Sequence, residues 1–177
     1  MKRQVKGALL AAGIALAISA ATAWPAAAAA SGSETFSGTI VISGVSGTRT
    51  VINSVVVATG VFSGVGQVVE IPGLPTDPPD VSRDDLVFPE GTMHLVSATV
   101  DITSFSLNPR NCLFRLTLQQ TGEVRGGTGQ FAVATGSFTS TVSGQGLGAR
   151  DPDGSCSTTL PTLHEVDRIA SSGTLSF

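Results

Sequence analysis

The sequence predicts an all-β domain, and three observations predict it. Short runs rich in Val, Ile, Thr and Phe recur between clusters of Gly, Ser, Pro and Asp, the pattern of strands punctuated by turns. No segment of any length carries the three-to-four-residue apolar repeat of an amphipathic helix. Glycine is abundant, with 19 of the 21 lying beyond residue 30, as tight corners and strand bends require.

The elements follow in order. Phe36 to Ile42 alternates, placing Phe36, Gly38, Ile40 and Ile42 on one face. A turn at Ser43 to Gly47 leads into Thr50 to Val57, a β-branched strand. Val61 to Ile71 is a further strand, with Gly64 and Gly66 marking a bulge or sharp bend. Pro72 to Asp85 is expected to be a surface loop. Its four prolines (Pro72, Pro75, Pro78, Pro79) bar a central strand, and Asp77, Asp80, Asp84 and Asp85 are turn formers. Extended structure resumes at Leu86 to Phe88 and Gly91 to Ser106, turns at Asn108-Pro109, and continues through Asn111 to Gln119. A glycine turn at Arg125 to Gly129 precedes Gln130 to Ala134 and Ser137 to Gly144. Asp151-Pro-Asp-Gly154 turns again, and Val166 to Phe177 closes the chain. Eight to ten strands result, a number that suits a sandwich or a closed barrel. No repeat of fixed period points to a propeller or solenoid.

Ahead of this domain, Met1 to Lys6 is basic, Ala8 to Ala21 is apolar, and Ala26 to Ala30 offers small-residue cleavage registers. These are the three parts of a secretory signal in their usual order, with cleavage expected after Ala30. Thr22 and Pro25 end the apolar run too early for a spanning helix. The chain therefore divides into a signal peptide, residues 1–30, and one domain, residues 31–177. Removing 30 of the 177 residues leaves 147, enough for a single core. Trp24 is the one tryptophan and there is no tyrosine, so the cleaved protein is expected to absorb very weakly at 280 nm. Retention of the leader would show as a clear band there.

Lys2, Arg3 and Lys6 leave with the leader, so seven of the ten cations remain against 13 acids and the net charge moves from −3 to −6. An acidic, lysine-free domain is unsuited to nucleic acid, and it excludes P-loop, Schiff-base and pyridoxal-phosphate chemistry. With no Tyr and no Trp beyond the leader, it lacks the aromatic girdles of an outer-membrane barrel, so no membrane insertion is expected. Cys112 and Cys156 are the two cysteines, and export favours a disulfide between them over two buried thiols.

The most distinctive stretch runs from Gly126 to Ser137, Gly-Gly-Thr-Gly-Gln-Phe-Ala-Val-Ala-Thr-Gly-Ser. A phosphate loop would need a helix behind it, and β-type sequence follows instead. The glycines are read as a turn with positive φ, with Phe131 packing inward just beyond. Here the chain resembles the allene oxide cyclase and dirigent barrel superfamily, whose pattern G-G-T-G-x-F-x-x-A-x-G stands unbroken from Gly126 to Gly136. Secreted bacterial proteins of that type look similar also at Leu86-Val-Phe-Pro-Glu-Gly91 and Gly173-Thr-Leu-Ser176. The resemblance implies an eight-stranded antiparallel barrel with a cavity at one end. In the plant members such a cavity guides cyclisation or radical coupling of a hydrophobic substrate. Their polar catalytic residues have no matching positions here, so the resemblance implies fold and not reaction.

Few residues suggest chemistry. His94 and His164 stand apart from any metal-ligand spacing, and no G-x-S-x-G elbow occurs. The Asp77 to Asp85 cluster and Asp151-Pro-Asp-Gly154 carry oxygen ligands, but turn chemistry explains both and the calcium-loop spacing is missing. No metal or cofactor is expected. Arg115 lies between Phe114 and Leu116 and is expected to point outward, although an inward guanidinium would orient an acidic ligand. Glu90, His94 and Arg115 are the ionisable candidates for a barrel cavity. The expected role is a secreted monomer or homo-oligomer that binds a small apolar ligand or a surface partner without catalysis. A cyclase or isomerase acting by confinement is the alternative, and a structural extracellular protein is a third reading.

Overall fold

The computed structural model describes residues 30–177, so the proposed signal peptide lies outside the described residues except for Ala30. Eight strands run β1 (Ser31–Ser43), β2 (Thr50–Gly60), β3 (Gly64–Ile71), β4 (Val81–Phe88), β5 (Gly91–Leu107), β6 (Leu113–Gly127), β7 (Thr135–Leu147) and β8 (His164–Ser176). Each pairs antiparallel with the next, and β8 returns to β1, closing the sheet as a barrel. The closing seam is continuous, from Ser31 opposite Ser176 to Ser43 opposite His164. Ala30 and Phe177 extend it by exchanging two backbone hydrogen bonds of 3.0 Å. No α-helix occurs among the described residues; one short 3₁₀ turn spans Gly129–Phe131.

Strand alternation decides what fills the barrel. Phe36, Ile40 and Ile42 of β1, Val56 and Ala58 of β2, and Leu86 and Phe88 of β4 are buried in one core. At one end the core is aromatic. Phe131 is fully buried, with ring centroids 5.0 Å from Phe62, 5.4 Å from Phe177 and 6.0 Å from Phe88, all edge-on. Such pairs add stabilisation beyond the area they bury.

The glycine turn puts Phe131 there. Gly129 has φ of 58°, which a side chain resists, and a Cβ at Gly127 would lie 1.8 Å from the Thr92 carbonyl. The turn is tied to the β4–β5 hairpin by Thr128 N–H donating to Thr92 O and Gln130 N–H donating to Glu90 O. A turn that swings Phe131 inward is thus what the sequence motif specifies. The stretch Gln130 to Ala134, expected to be extended, is not: Gln130 and Phe131 belong to this 3₁₀ turn, and Ala132 and Val133 form a further turn.

Two departures from the sequence reading concern strands. The expected loop to Asp85 ends earlier, because β4 begins at Val81 and carries Asp84 opposite Leu95 and Asp85 opposite His94. The remaining Pro-rich loop is pinned by Asp77, which accepts from Leu74 N–H at 2.7 Å and from Arg83 Nε and Nη2 at 2.7 and 2.9 Å. β5 spans Gly91–Leu107, as expected to within a residue, whereas β6 runs on to Gly127; beyond Thr99, β5 pairs with β6 alone, and residues 100–107 are exposed.

Cys112 and Cys156 form the expected disulfide, with Cα atoms 5.4 Å apart. It fastens the β5–β6 turn to the long β7–β8 connection at the end of the barrel opposite Phe131. Arg150 reinforces the same junction by donating to Arg110 O at 2.6 Å.

Candidate functional site

The barrel middle holds a cavity of about 70 Å³. Its β1–β3 side is apolar, made by Phe36, Ile40, Val56 and Val68, whereas the β5–β8 side is mixed, with Ser97, Gln120, Ser140 and Ser171 set among Leu95, Phe138 and Ile169. Ser140 and Ser171 satisfy each other, their Oγ atoms 2.7 Å apart. The cavity has room for several waters or a ligand of roughly five non-hydrogen atoms. Drug-sized ligand sites are larger, about 300–1,000 Å³.

Asp84 is the charged residue of this lining. The two-residue alternation that buries Leu86 and Phe88 turns Asp84 inward as well. Burial pushes its carboxyl up to about 6, and the nearby Glu70 carboxylate adds to the shift while Arg49 opposes it. No hydrogen bond or ion pair joins its carboxylate to another described residue.

Beyond Asp84 lies an acidic end. Arg49 pairs with Glu70 and also feels Glu165 and Asp167. Asp167, 9% exposed, is pushed up to about 7 by burial and by the neighbouring Glu165 carboxylate. Its Oδ1 has no partner. Thr162 Oγ1 donates to Glu165 Oε2 at 3.0 Å. Four carboxyl groups therefore surround one guanidinium.

The barrel wall is thinnest beside this cluster. β2 and β3 pair only from Val56 to Ala58 against Gly64 to Gly66. Farther along, Ser54 Oγ replaces the ladder by accepting from Val68 N–H at 2.9 Å and donating to Val68 O at 2.8 Å. The Arg49–Glu70 pair spans the same gap one turn of the pleat beyond.

The three ionisable residues singled out from sequence lie elsewhere. Glu90 is exposed in the β4–β5 hairpin, where its backbone and not its carboxylate is used. His94 points outward between Met93 and Leu95, its Nδ1 2.7 Å from Asp85 Oδ1. Arg115 is exposed because Phe114 and Leu116, one residue to either side, both take the inward positions. None of the three lines the cavity. Asp84 lines it instead, and Glu70, Glu165 and Asp167 gather around Arg49 beyond it. The alternation Asp84-x-Leu86-x-Phe88 and Glu165-x-Asp167-x-Ile169 was the available signal.

No group of three or more metal-ligating side chains forms among the described residues. Asp77 is taken by Arg83 and Leu74, and Asp153 by Ser155 N–H and Oγ at 2.9 and 2.7 Å. Among the described residues no helix is long and apolar enough to cross a membrane.

Fold and site together define a closed, up-and-down eight-stranded antiparallel barrel with a small, mainly apolar cavity. No family model, curated protein or solved structure matches the chain.

Proposed function

We propose that this is an exported barrel of the allene oxide cyclase and dirigent type that binds a small, mainly apolar molecule in its lumen without transforming it. The observation that carries the reading is a mainly apolar cavity into which Asp84, Ser97, Gln120, Ser140 and Ser171 bring polar groups, inside a barrel otherwise filled by side chains. An apolar pocket with a few convergent polar groups is the usual form of a small-ligand site. Export is supported by the three-part leader and by the Cys112–Cys156 disulfide, which belongs to an oxidising compartment.

A second reading, a cyclase or isomerase, is favoured by one observation. Asp84, with a carboxyl at about 6, is poised to exchange a proton near neutral pH inside a confined space.

Native mass spectrometry of protein purified from culture medium tests the first reading. The expected result is a retained small molecule of a few non-hydrogen atoms, released unchanged. Release of a structural isomer of the added compound, abolished by Asp84→Asn, would establish the second. Protein that never carries or takes up a small molecule would leave the purely structural role.

A further inference from the structure

The lumen's charge points to a class of ligand. We propose that the cavity selects a short aliphatic amine, its alkyl part against Phe36, Ile40 and Val56 and its ammonium on Asp84; this rests on the lumen being a binding site.

Three observations carry the inference. First, Asp84 is the one charged side chain in the cavity lining, and its carboxylate has neither a hydrogen-bond nor an ion-pair partner among the described residues. A partly buried carboxylate left in that state is costly, and an incoming cation removes the cost. Second, the single nearby guanidinium is already committed, since Arg49 pairs with Glu70 across the β2–β3 gap. Third, the surroundings favour positive charge. Asp84 faces Glu70 from β3, Asp85 follows it on its own strand, and β5 presents Leu95 opposite it. On β8, Glu165 and Asp167 share Arg49 with this group, and the orphaned Oδ1 of Asp167 is a second sign of uncompensated acid inside the barrel. An ammonium also has three N–H donors, and Ser97 on the adjoining strand and Gln120 supply further oxygens. A carboxylate ligand meets the opposite situation and is excluded. The acidic shift of Asp84 toward about 6 adds a pH signature, because an ammonium is held by the ionised form.

The test is a methyl NMR titration of the full exported chain with n-butylamine, n-butanol and butyrate, which share a chain length the cavity admits. At pH 7.5, butylamine is expected to shift the Ile40, Val56 and Leu86 methyls saturably and to bind at least about ten-fold tighter than butanol, with butyrate weakest. Lowering the pH to 5 should weaken butylamine about ten-fold and leave butanol unchanged. Asp84→Asn removes the preference for the amine and retains butanol binding. Asp167→Asn separates Asp84 from the acids of β8, and the amine preference survives it. Butanol binding in the lumen with no preference for butylamine, or a preference that persists in Asp84→Asn, overturns the amine assignment and leaves the lumen reading standing. Failure of all three probes to shift lumen methyls overturns the lumen reading itself.

Discussion

The two ends of the barrel solve the problem of closure in opposite ways. At one end, Phe62, Phe88, Phe131 and Phe177 interlock edge-to-face and leave no space, and the backbone is bent by glycine to let them meet. At the other, acids crowd around Arg49, a serine side chain substitutes for ladder hydrogen bonds, and a disulfide ties down the connection. The aromatic end is held by packing around one buried acid, Glu34, which accepts from Phe62 N–H at 2.8 Å. The acidic end is an electrostatic compromise whose stability depends on protonation. The cavity sits where one regime gives way to the other, and Asp84 belongs to the second.

The largest effect is expected from the aromatic end. Phe131→Ala should cost about 3–5 kcal/mol, read as a fall in the urea midpoint at unchanged slope. A cost near 1 kcal/mol would mean the rings do not hold that end together. Next comes the disulfide: replacing both Cys112 and Cys156 by Ser should lower stability by about 2–4 kcal/mol, since the bridge closes a loop with a sequence separation of 44.

The acidic end responds to pH with the opposite sign to an ordinary carboxylate. Asp84 and Asp167 hold their protons more tightly in the folded state, with carboxyls at about 6 and about 7. The folded state therefore binds more protons than the unfolded one between about pH 4 and pH 7, and stability falls as the pH rises through that window. Asp84→Asn removes its share of this penalty. It should stabilise the protein by about 1–3 kcal/mol at pH 8 and change little at pH 4, checked by urea denaturation at both values. Equal stabilisation at the two pH values would place the effect in packing instead. The smallest change is expected at the wall: Ser54→Ala strands Val68 N–H and C=O and should cost about 1–2 kcal/mol, with faster amide exchange at Val68.

How legible these two ends were in the sequence differs for a physical reason. The aromatic end is written locally. Positive-φ glycines at fixed spacing before a phenylalanine specify the turn and its inward ring, so Gly126 to Phe131 could be read directly. The all-β character and the Cys112–Cys156 pair were equally accessible, from periodicity and compartment. The acidic end is assembled from residues far apart in the chain, Arg49, Glu70, Asp84, Glu165 and Asp167, and only barrel closure brings them together. Asp84 was masked further by its neighbours, because prolines and aspartates make Val81–Asp85 look like the tail of a loop. The turn composition was right for Asp77, which forms such a turn, and misleading for Asp84, whose strand register overrides it. Arg115 shows the converse, where both apolar neighbours point in and the charged residue between them must point out.

The central claim is that the space beside Asp84 is a binding site and not merely imperfect packing. Methyl NMR of the exported protein titrated with n-butanol tests it most directly. Saturable shifts confined to Val56, Val68, Leu86, Leu95 and Ile169, with outward-facing Val65 and Val69 unmoved, are the predicted result. Shifts that grow linearly without saturation, or that appear on the outer face alone, would contradict it.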